Sequence, residues 1–224
     1  MQPMNSYKNT EFWSFFDKLV GPRLGLRRNT LRKTFEYLDS LSGPILIVET
    51  GCARMADNWE GDGQSTLLFD KYITHRDKES ICYTVDISSD SVDACKKLVS
   101  DRVHITQDDS VHHLRALTNE LQKINAPISL LYLDSFDLDM VNWHPSAIHH
   151  IKELCAIMKS INHQTLVVVD DCPLNANFTP ATNGQVNFLG DPSIGGKGRI
   201  VAEFAKAVGA KLEFAEYQAG WTGF

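Results

Sequence analysis

Two adjacent carboxylates, Asp170 and Asp171, follow an apolar stretch in the segment TLVVVDDCP, residues 165 to 173. Two like charges at the end of a buried strand repel each other, and removing them from water costs free energy. A strand that ends in a solvated turn would explain the pair without any chemistry. A partner shared by both carboxylates, such as a bound cation, is the alternative explanation.

Further acids stand in the segment LYLDSFDLD, which contains Asp134, Asp137 and Asp139. The first of them again follows an apolar run. If the strands before Asp134 and before the Asp170–Asp171 pair are neighbours in one sheet, three carboxylates converge. Mg²⁺, Mn²⁺ and Ca²⁺ prefer such oxygen-only ligand sets. The sequence therefore predicts a metal site of Asp134, Asp170 and Asp171, with Mg²⁺ or Mn²⁺ as the ion.

The elements that must position these acids are short apolar strands that alternate with amphipathic helices from residue 44 onward. The predicted strands cover 44–50, 81–88, 102–107, 128–135 and 165–171. This alternation indicates parallel strands joined by right-handed crossovers. The predicted fold class is therefore α/β, a Rossmann-like doubly wound, mostly parallel sheet. In the strand order 3-2-1-4-5 the fourth and fifth strands are neighbours, as the metal site requires.

An aromatic and basic segment precedes this pattern. Residues 9 to 41 are predicted to form two helices, EFWSFFDKLV and NTLRKTFEYLDSL, with Asn29 or Thr30 capping the second. We therefore divide the chain into an N-terminal helical extension, 1–43, and an α/β domain, 44–224. The aromatic residues of the extension are expected to pack on the core or on a second subunit, which leaves a homodimer open. At the other end, KLEFAEYQ is expected to lead into a short tail, AGWTGF.

Composition argues against several classes of protein. A formal net charge of -6 and a pI near 5.7 disfavour a nucleic-acid partner. No apolar run reaches the roughly 18 residues of a membrane span, and no secretory signal is visible. The five cysteines are scattered without a CxxC pair, which is typical of reduced thiols. We expect a cytoplasmic protein.

The ends of the first two predicted strands indicate a cofactor. Gly51, in the segment ETGCARMADNWEGDGQST, lets the backbone pass close to a ligand. The segment lacks GxGxxG and a following GKS or GKT, so a pyrophosphate is disfavoured. Asp86 stands where doubly wound folds place a ribose-binding acid, although a solvated turn acid would look the same. These features predict a nucleoside-containing cofactor without a pyrophosphate.

The ExG step of Glu49 and Gly51, the acid Asp86 and a DS step after the third strand resemble the class I S-adenosylmethionine-dependent methyltransferases. The resemblance covers residues 44 to about 218. It implies S-adenosyl-L-methionine as the cofactor and a catalytic role for the α/β domain. It further implies that Glu49 and Gly51 line the methionine end of the cofactor and that Asp86 holds its ribose.

The same resemblance places Asp109 and Ser110, which form the DS step, beside the adenine. The loop after the first strand departs from the common ExGxGxG pattern by the insertion RMADNWEGDG. After Gly51, Ser65 is the loop residue that we expect to contact the cofactor.

The predicted metal triad resembles the D…DD or D…DN triad of cation-dependent O-methyltransferases, both the catechol type and the macrocin, antibiotic-sugar type. The DD variant favours the sugar-modifying type. The resemblance therefore implies methyl transfer to a hydroxyl of a sugar, in a glycan or glycoside, or of a similar small vicinal diol. The alternatives are a catechol- or phenol-type enzyme and a non-catalytic binding module of the same fold. An NAD(P)-linked enzyme is disfavoured by the missing GxGxxG.

A hydroxyl acceptor needs a base to take its proton. Metal chelation at Asp134 would lower the pKa of the acceptor oxygens. Asp137 lies close to where the resembling families place a base, and Asp139 or His144 are alternatives. Asp137 is otherwise a solvated loop acid.

The segment 172–198 has little periodicity and is long for a connection, so it is expected to cover the acceptor. Lys197 and Arg199 stand at the start of the next predicted helix, KGRIVAEFAKAVG. They are expected either to contact an anionic acceptor or to be solvated.

Overall fold

The computed structural model of the chain describes residues 9–62, 64–124, 126–176, 178–180, 182–188 and 190–224. The strands are β1 (Leu46–Thr50), β2 (Ile81–Asp86), β3 (Val103–Gln107), β4 (Leu130–Leu133), β5 (Leu166–Val169), β6 (Leu174–Asn175), β7 (Phe178–Pro180), β8 (Val186–Phe188), β9 (Ser193–Ile194), β10 (Lys211–Ala215) and β11 (Ala219–Thr222). The α-helices are α1 (Thr10–Phe15), α2 (Arg28–Ser40), α3 (Ser65–Arg76), α4 (Ser89–Cys95), α5 (Ser110–Ile124), α6 (His144–Ile157) and α7 (Arg199–Val208).

A seven-stranded sheet with the order β10-β11-β5-β4-β1-β2-β3 forms the centre of the molecule. Strands β1 to β5 pair in parallel, whereas β11 is antiparallel to both β5 and β10. The runs LLYL in β4 and LVVV in β5 are buried throughout, as parallel strands covered by helices on both faces must be. The predicted α/β doubly wound fold, with its fourth and fifth strands adjacent, is confirmed.

Alternate side chains of the strands face two apolar cores. Ile47 and Val168 belong to the core that also contains Phe35 of α2 and Phe69 of α3. On the opposite face, the second core collects Val48, Leu131 and Val169 with Leu154 of α6 and Val201 of α7. Because β1, β2, β4 and β5 run parallel, their carboxyl ends meet at one edge of this covered sheet.

The expected C-terminal tail is wrong, because AGWTGF contains strand β11. Ala219, Gly220 and Trp221 pair with β5, and Ala219 and Trp221 are buried. A Cβ on Gly220 would lie 2.5 Å from the ring of Phe214, so the packing leaves no space for a side chain at this position. The strand is short and contains a glycine, and therefore lacks the β-branched run that marks a strand in sequence. It separates β5 from β10, unlike the order 3-2-1-4-5-6 of dinucleotide-binding sheets.

The predicted helix caps in the N-terminal extension are also wrong. Asn29 and Thr30 lie inside α2, which follows Arg27 directly. In the first helix, α1, the side chain of Asn9 forms the cap and accepts a hydrogen bond from the Phe12 backbone N–H at 3.3 Å. Between α1 and α2 the chain forms a wide helical turn, Phe16–Val20, and two 3₁₀ turns, Gly21–Arg23 and Gly25–Arg27.

The aromatic residues of the extension pack into the molecule's own core. Phe12, Phe16 and Phe35 are fully buried. The rings of Phe12 and Phe35 each lie 5.1 Å, centroid to centroid, from the ring of Tyr72 in α3. The extension therefore covers one face of the sheet. Its boundary at residue 43 and the homodimer remain predictions.

The segment between β5 and α7 contains two short antiparallel ribbons, β6 with β9 and β7 with β8, and a 3₁₀ turn, Gly196–Gly198. Its expected role as an acceptor cover is untested, and residues 177, 181 and 189 lie outside the described part of the chain. None of the described helices combines the length and the apolar character needed to cross a membrane.

Candidate cofactor and acceptor site

Hydrogen bonds to Glu49 stabilise the loop that follows β1. Its carboxylate is fully buried and accepts hydrogen bonds from Ser65 Oγ at 2.5 Å and Thr66 Oγ1 at 2.7 Å. Thr66 Oγ1 in turn accepts from the Ala53 backbone N–H at 3.0 Å. Burial raises the pKa of Glu49 to about 7, and the two hydroxyls oppose that rise. Glu49 therefore fixes the conformation of the loop, whereas Ser65 lines the larger of the two cavities that are described below.

Gly51 brings the ends of β1 and β4 into contact. Its φ of +81° is one that residues with a Cβ rarely adopt. A Cβ at this position would lie 2.5 Å from the carbonyl oxygen of Asp134. The close approach joins the two strand ends, and the predicted contact of Gly51 with a cofactor remains a prediction.

Asp86 stands between two cavities at the carboxyl edge of the sheet. A larger cavity of about 460 Å³ and a smaller one of about 310 Å³ share Asp86 and Ser135 in their walls. The Asp86 carboxylate accepts backbone hydrogen bonds from Cys52 at 3.2 Å and from Ser88 at 2.8 Å. These bonds fix the carboxylate, which has acceptor capacity left for a ligand in either cavity.

The predicted adenine residues Asp109 and Ser110 both line the smaller cavity, together with Phe136 and His149. Asp109 accepts from the His112 backbone N–H at 2.9 Å at the beginning of α5. The Ser110 hydroxyl lies 2.9 Å from Nε2 of His149. The smaller cavity is thus lined by both aromatic and polar side chains.

A buried polar cluster that the sequence reasoning did not assemble supports this wall. Glu153 is fully buried, and its Oε1 accepts from Ser135 Oγ at 2.5 Å and lies 3.4 Å from His149 Nε2. His150 is fully buried with Nδ1 2.7 Å from the Ser146 carbonyl oxygen, and burial lowers its pKa to about 4. The helical i, i+4 spacing of His149 and Glu153 was the available signal.

The predicted metal ligands do converge. Asp170 is fully buried; its Oδ2 accepts from Nε of Arg27 at 2.8 Å, and its Oδ1 accepts from the Asp171 backbone N–H at 2.8 Å. Oδ1 of Asp171 accepts from Nη2 of Arg27 at 2.9 Å. The guanidinium therefore bridges the two carboxylates whose repulsion the sequence left unexplained.

Lys197 supplies a second cation. Its Nζ donates to Oδ1 of Asp134 at 2.5 Å and lies 2.9 Å from Oδ2 of Asp171. The Lys197 side chain is only 2% exposed. Burial lowers its pKa, but the carboxylates, Asp134 foremost, outweigh burial and hold the pKa above its ordinary value. For Asp134, burial raises the pKa well above its ordinary value and Lys197 opposes the rise.

Arg27 comes from the N-terminal extension, and sequence reasoning missed it. Its Nη1 also donates to the carbonyl oxygens of Glu60 and Gly61, each at 3.2 Å. The guanidinium carbon lies 4.8 Å from the ring centroid of Tyr217. Nothing in the basic, helical segment around Arg27 distinguishes this residue from its exposed neighbours. Only the packing of the extension brings it to the sheet edge.

A strained turn presents Lys197 to the acids. Asp171 has a φ of +46° and Gly196 a φ of +52°, both in the left-handed region. A Cβ on Gly196 would overlap the carbonyl oxygen of Asp171. That same oxygen accepts from the Lys197 backbone N–H at 3.1 Å. The G-K-G turn therefore fits directly against the end of β5. The expectation of a solvated Lys197 is therefore wrong, because its ammonium is buried between acids, whereas contact with an anionic acceptor is untested.

The predicted bases occupy different surroundings. Asp137 lines the mouth of the larger cavity, and its side chain is 81% exposed and lies 3.3 Å from Nη1 of Arg54. Asp139 accepts from the backbone N–H groups of Val141 and Asn142, which makes it a loop-capping acid. The His144 ring stacks on Trp143 at 3.8 Å. A catalytic role for Asp137 remains a prediction, and Asp134 is the more enclosed carboxylate.

The acidic cluster does not fit a resident divalent cation. Within the described ranges, no group of three or more His, Cys, Asp or Glu side chains is placed to hold a metal ion. Oδ1 of Asp134 and Oδ2 of Asp171 are paired with Lys197, and both oxygens of Asp170 accept hydrogen bonds. The metal assignment therefore remains a prediction from the sequence, and the ion pairs argue against it.

The chain matches no protein-family profile and no curated protein. Among the solved structures that resemble it are two with bound ligands named in their titles. One, titled "DhpI-SAH complex structure", has a TM-score of 0.45 and 9% identity over 97% of this chain and 95% of that one. The other, "DhpI-SAM-HEP complex", has a TM-score of 0.43 and 10% identity over 99% of this chain and 98% of that one. At such low similarity neither structure informs the function of this chain.

Proposed function

We propose that this protein is an S-adenosylmethionine-dependent methyltransferase that transfers a methyl group to a hydroxyl of a small acceptor, either a sugar or a similar vicinal diol. The observation that carries the proposal is the position of Asp86. Its carboxylate stands where the two cavities meet, at the carboxyl edge of a doubly wound sheet. Nucleoside ligands of such sheets bind at this edge, with an acid at the end of the second strand on the ribose.

The residues present fit this cofactor. Asp109 and Ser110 would hold the adenine in the smaller cavity, and Asp86 the ribose hydroxyls at the junction. Gly51 and Ser65 would face the methionine end in the larger cavity. When bound, S-adenosylmethionine supplies a methyl group activated by a sulfonium. The loop contains no GxGxxG, and the antiparallel strand β11 departs from the dinucleotide-binding order, so NAD(P) fits less well.

The lining of the larger cavity supports a hydrophilic acceptor. Its charged residues are Arg27, Arg54, Asp62, Asp86, Asp134, Asp137, Asp171 and Lys197. Five carboxylates against three cations disfavour an anionic acceptor. Leu138 and Tyr217 are the main apolar side chains in this wall, so a flat catechol or phenol finds less apolar surface than such sites usually offer.

We assign Asp134 as the base that would take the proton of the acceptor hydroxyl. Its carboxylate lines the larger cavity and is enclosed, and Asp137 at the mouth is the alternative base. In the proposed step this carboxylate would take the O–H proton, so that the acceptor oxygen could accept the methyl group that the bound cofactor would supply. The cofactor would leave as a neutral thioether, and no oxidant or reductant would be needed.

Calorimetry with S-adenosylhomocysteine and with NAD tests the cofactor. We expect saturable binding of S-adenosylhomocysteine and none of NAD. Binding of NAD alone would replace the proposal with an NAD-linked enzyme, and binding of neither would leave a module of another kind.

A mass-spectrometric screen then tests the acceptor. Glycosides and catechols are incubated with the protein and S-adenosylmethionine and examined for the gain of one methyl group. Methylation of glycosides supports the proposal, whereas methylation confined to catechols favours the catechol-type alternative. Cofactor binding with no methylated product in any class would favour the non-catalytic module.

A further inference from the structure

We propose that the ammonium group of Lys197 takes the place of a divalent cation in the acidic cluster, and that the reaction of this protein requires no metal ion. The inference rests on the proposed function for the reaction that it describes. For the site itself it rests on ion pairs and packing alone.

Five of the six carboxylate oxygens that a metal bridging Asp134, Asp170 and Asp171 could use are already engaged. The Lys197 ammonium lies between Asp134 and Asp171, at 2.5 Å and 2.9 Å from one oxygen of each. Both oxygens of Asp170 accept hydrogen bonds, from Arg27 and from the Asp171 backbone. A metal bridging the three carboxylates would therefore have to displace Lys197 and break the Arg27 contact.

The backbone holds the ammonium where it is. Lys197 follows Gly196, whose left-handed turn packs without space against the Asp171 carbonyl. On the other side, a Cβ on Gly198 would overlap Sγ of Cys172. The Lys197 side chain is 2% exposed and so cannot move into solvent unless this turn opens. A divalent cation would also be repelled by an ammonium that stays in place.

Charge supports the same conclusion. The three carboxylates of Asp134, Asp170 and Asp171 face two protein cations, Arg27 and Lys197. The two cations therefore leave a single uncompensated negative charge in the cluster as folded. Truncating one partner of a buried, hydrogen-bonded ion pair leaves the other charge uncompensated, which is costly. Removing the ammonium would restore the local excess of negative charge that attracts a metal.

Lys197 also has a positioning role that a metal would otherwise fill. An ammonium carries three N–H donors, and two of them are directed at Asp134 and Asp171. Lys197 lines the larger cavity, so its remaining donor can orient an acceptor oxygen beside the Asp134 carboxylate. The chain itself thus supplies both the positive charge and the proton acceptor.

Titration with Mn²⁺, followed by the electron paramagnetic resonance signal of the free ion, tests the site without a known acceptor. The protein is first treated with EDTA and desalted. We expect wild type to show no saturable binding that depends on Asp134. Lys197→Met should gain a Mn²⁺ site, and adding Asp134→Asn to that variant should remove it. Lys206→Met, which removes an exposed lysine of α7, should behave as wild type.

Saturable Mn²⁺ binding by wild type that Asp134→Asn abolishes would overturn the inference, because the ion would then be displacing Lys197. A Lys197→Met variant that folds, by circular dichroism, and gains no Mn²⁺ site would also count against it. If that variant does not fold, the comparison of wild type with Asp134→Asn decides alone.

An activity measurement completes the test once the screen has found an acceptor. Turnover in EDTA should equal turnover in Mg²⁺, and Lys197→Met should lower turnover while its affinity for S-adenosylhomocysteine stays unchanged. Loss of turnover in EDTA that Mg²⁺ restores would overturn the inference and leave the methyltransferase proposal intact. Absence of S-adenosylhomocysteine binding would instead overturn the proposed function, and the Mn²⁺ titration would still report on the site.

Discussion

The guanidinium of Arg27 donates from Nε to Oδ2 of Asp170 at 2.8 Å, although the two residues are 143 positions apart in sequence. Both side chains are buried, at 8% and 0% exposure. The contact ties the N-terminal extension to the end of β5, so the extension completes the charge balance of the candidate site.

Replacing Arg27 with Met should destabilise the protein by about 3–5 kcal/mol, because Asp170 would be left as an uncompensated buried charge. Arg23→Met is the matched control, since the Arg23–Asp57 pair in the same segment is 48% and 72% exposed and should contribute little to stability. Urea unfolding of the three proteins measures the free energies. Equal losses of unfolding free energy in the two variants would mean that the buried pair stabilises the protein no more than the exposed pair does.

The Asp86 carboxylate at the junction of the two cavities should set the affinity for the cofactor. Asp86→Ala is expected to weaken binding of S-adenosylhomocysteine by about 1–3 kcal/mol, through lost hydrogen bonds to the ribose and a looser Cys52 loop. Asp90→Ala, at an exposed position of α4, should leave the affinity unchanged. Calorimetry provides the measurement. An unaltered affinity in Asp86→Ala would remove the ribose assignment.

Glu49 should give the stability of the protein a specific pH dependence. Burial raises its pKa in the folded state to about 7, from an ordinary value of 4.5. Between these two pH values the folded protein holds a proton that the unfolded chain releases. The free energy of unfolding therefore falls as pH rises from about 4.5 to about 7, by about 3 kcal/mol from this group.

Glu49→Gln should remove this dependence. The difference in unfolding free energy between wild type and variant, followed by urea unfolding at several pH values, is expected to change across that window and to be flat above it. Glu79→Gln, at an exposed position, provides the control and should parallel wild type. A wild-type minus Glu49→Gln difference that stays constant with pH would show that folding does not raise the pKa of Glu49.

The G-K-G turn should tolerate no side chain at Gly196. Gly209 ends α7 with a φ of +78°, and a methyl group added there would meet no other atom within 4 Å, so Gly209→Ala should cost only the backbone strain of about 1 kcal/mol. Gly196→Ala adds a clash with the Asp171 carbonyl to that strain and should cost clearly more. Thermal unfolding compares the two. A similar loss in both would indicate that the turn relaxes freely.

The sequence by itself determined the sheet and the edge at which its acids collect. Continuous apolar runs such as LVVV in β5 can only be buried on both faces, and alternation with helices makes them parallel. Each acid that follows such a run must then emerge at the carboxyl edge. For this reason the convergence of Asp134 with the Asp170–Asp171 pair was predictable without coordinates.

Only the tertiary structure determined which cations neutralise those acids. Local patterns record which residues are apolar and how they repeat, but they do not record which distant cation meets a given carboxylate. Arg27 reaches Asp170 because the extension packs on the sheet, and Lys197 reaches Asp134 because the Gly196 turn closes against β5. The strand β11 was hidden for the same reason, since its burial comes from Phe214 and β5 and not from its own residues.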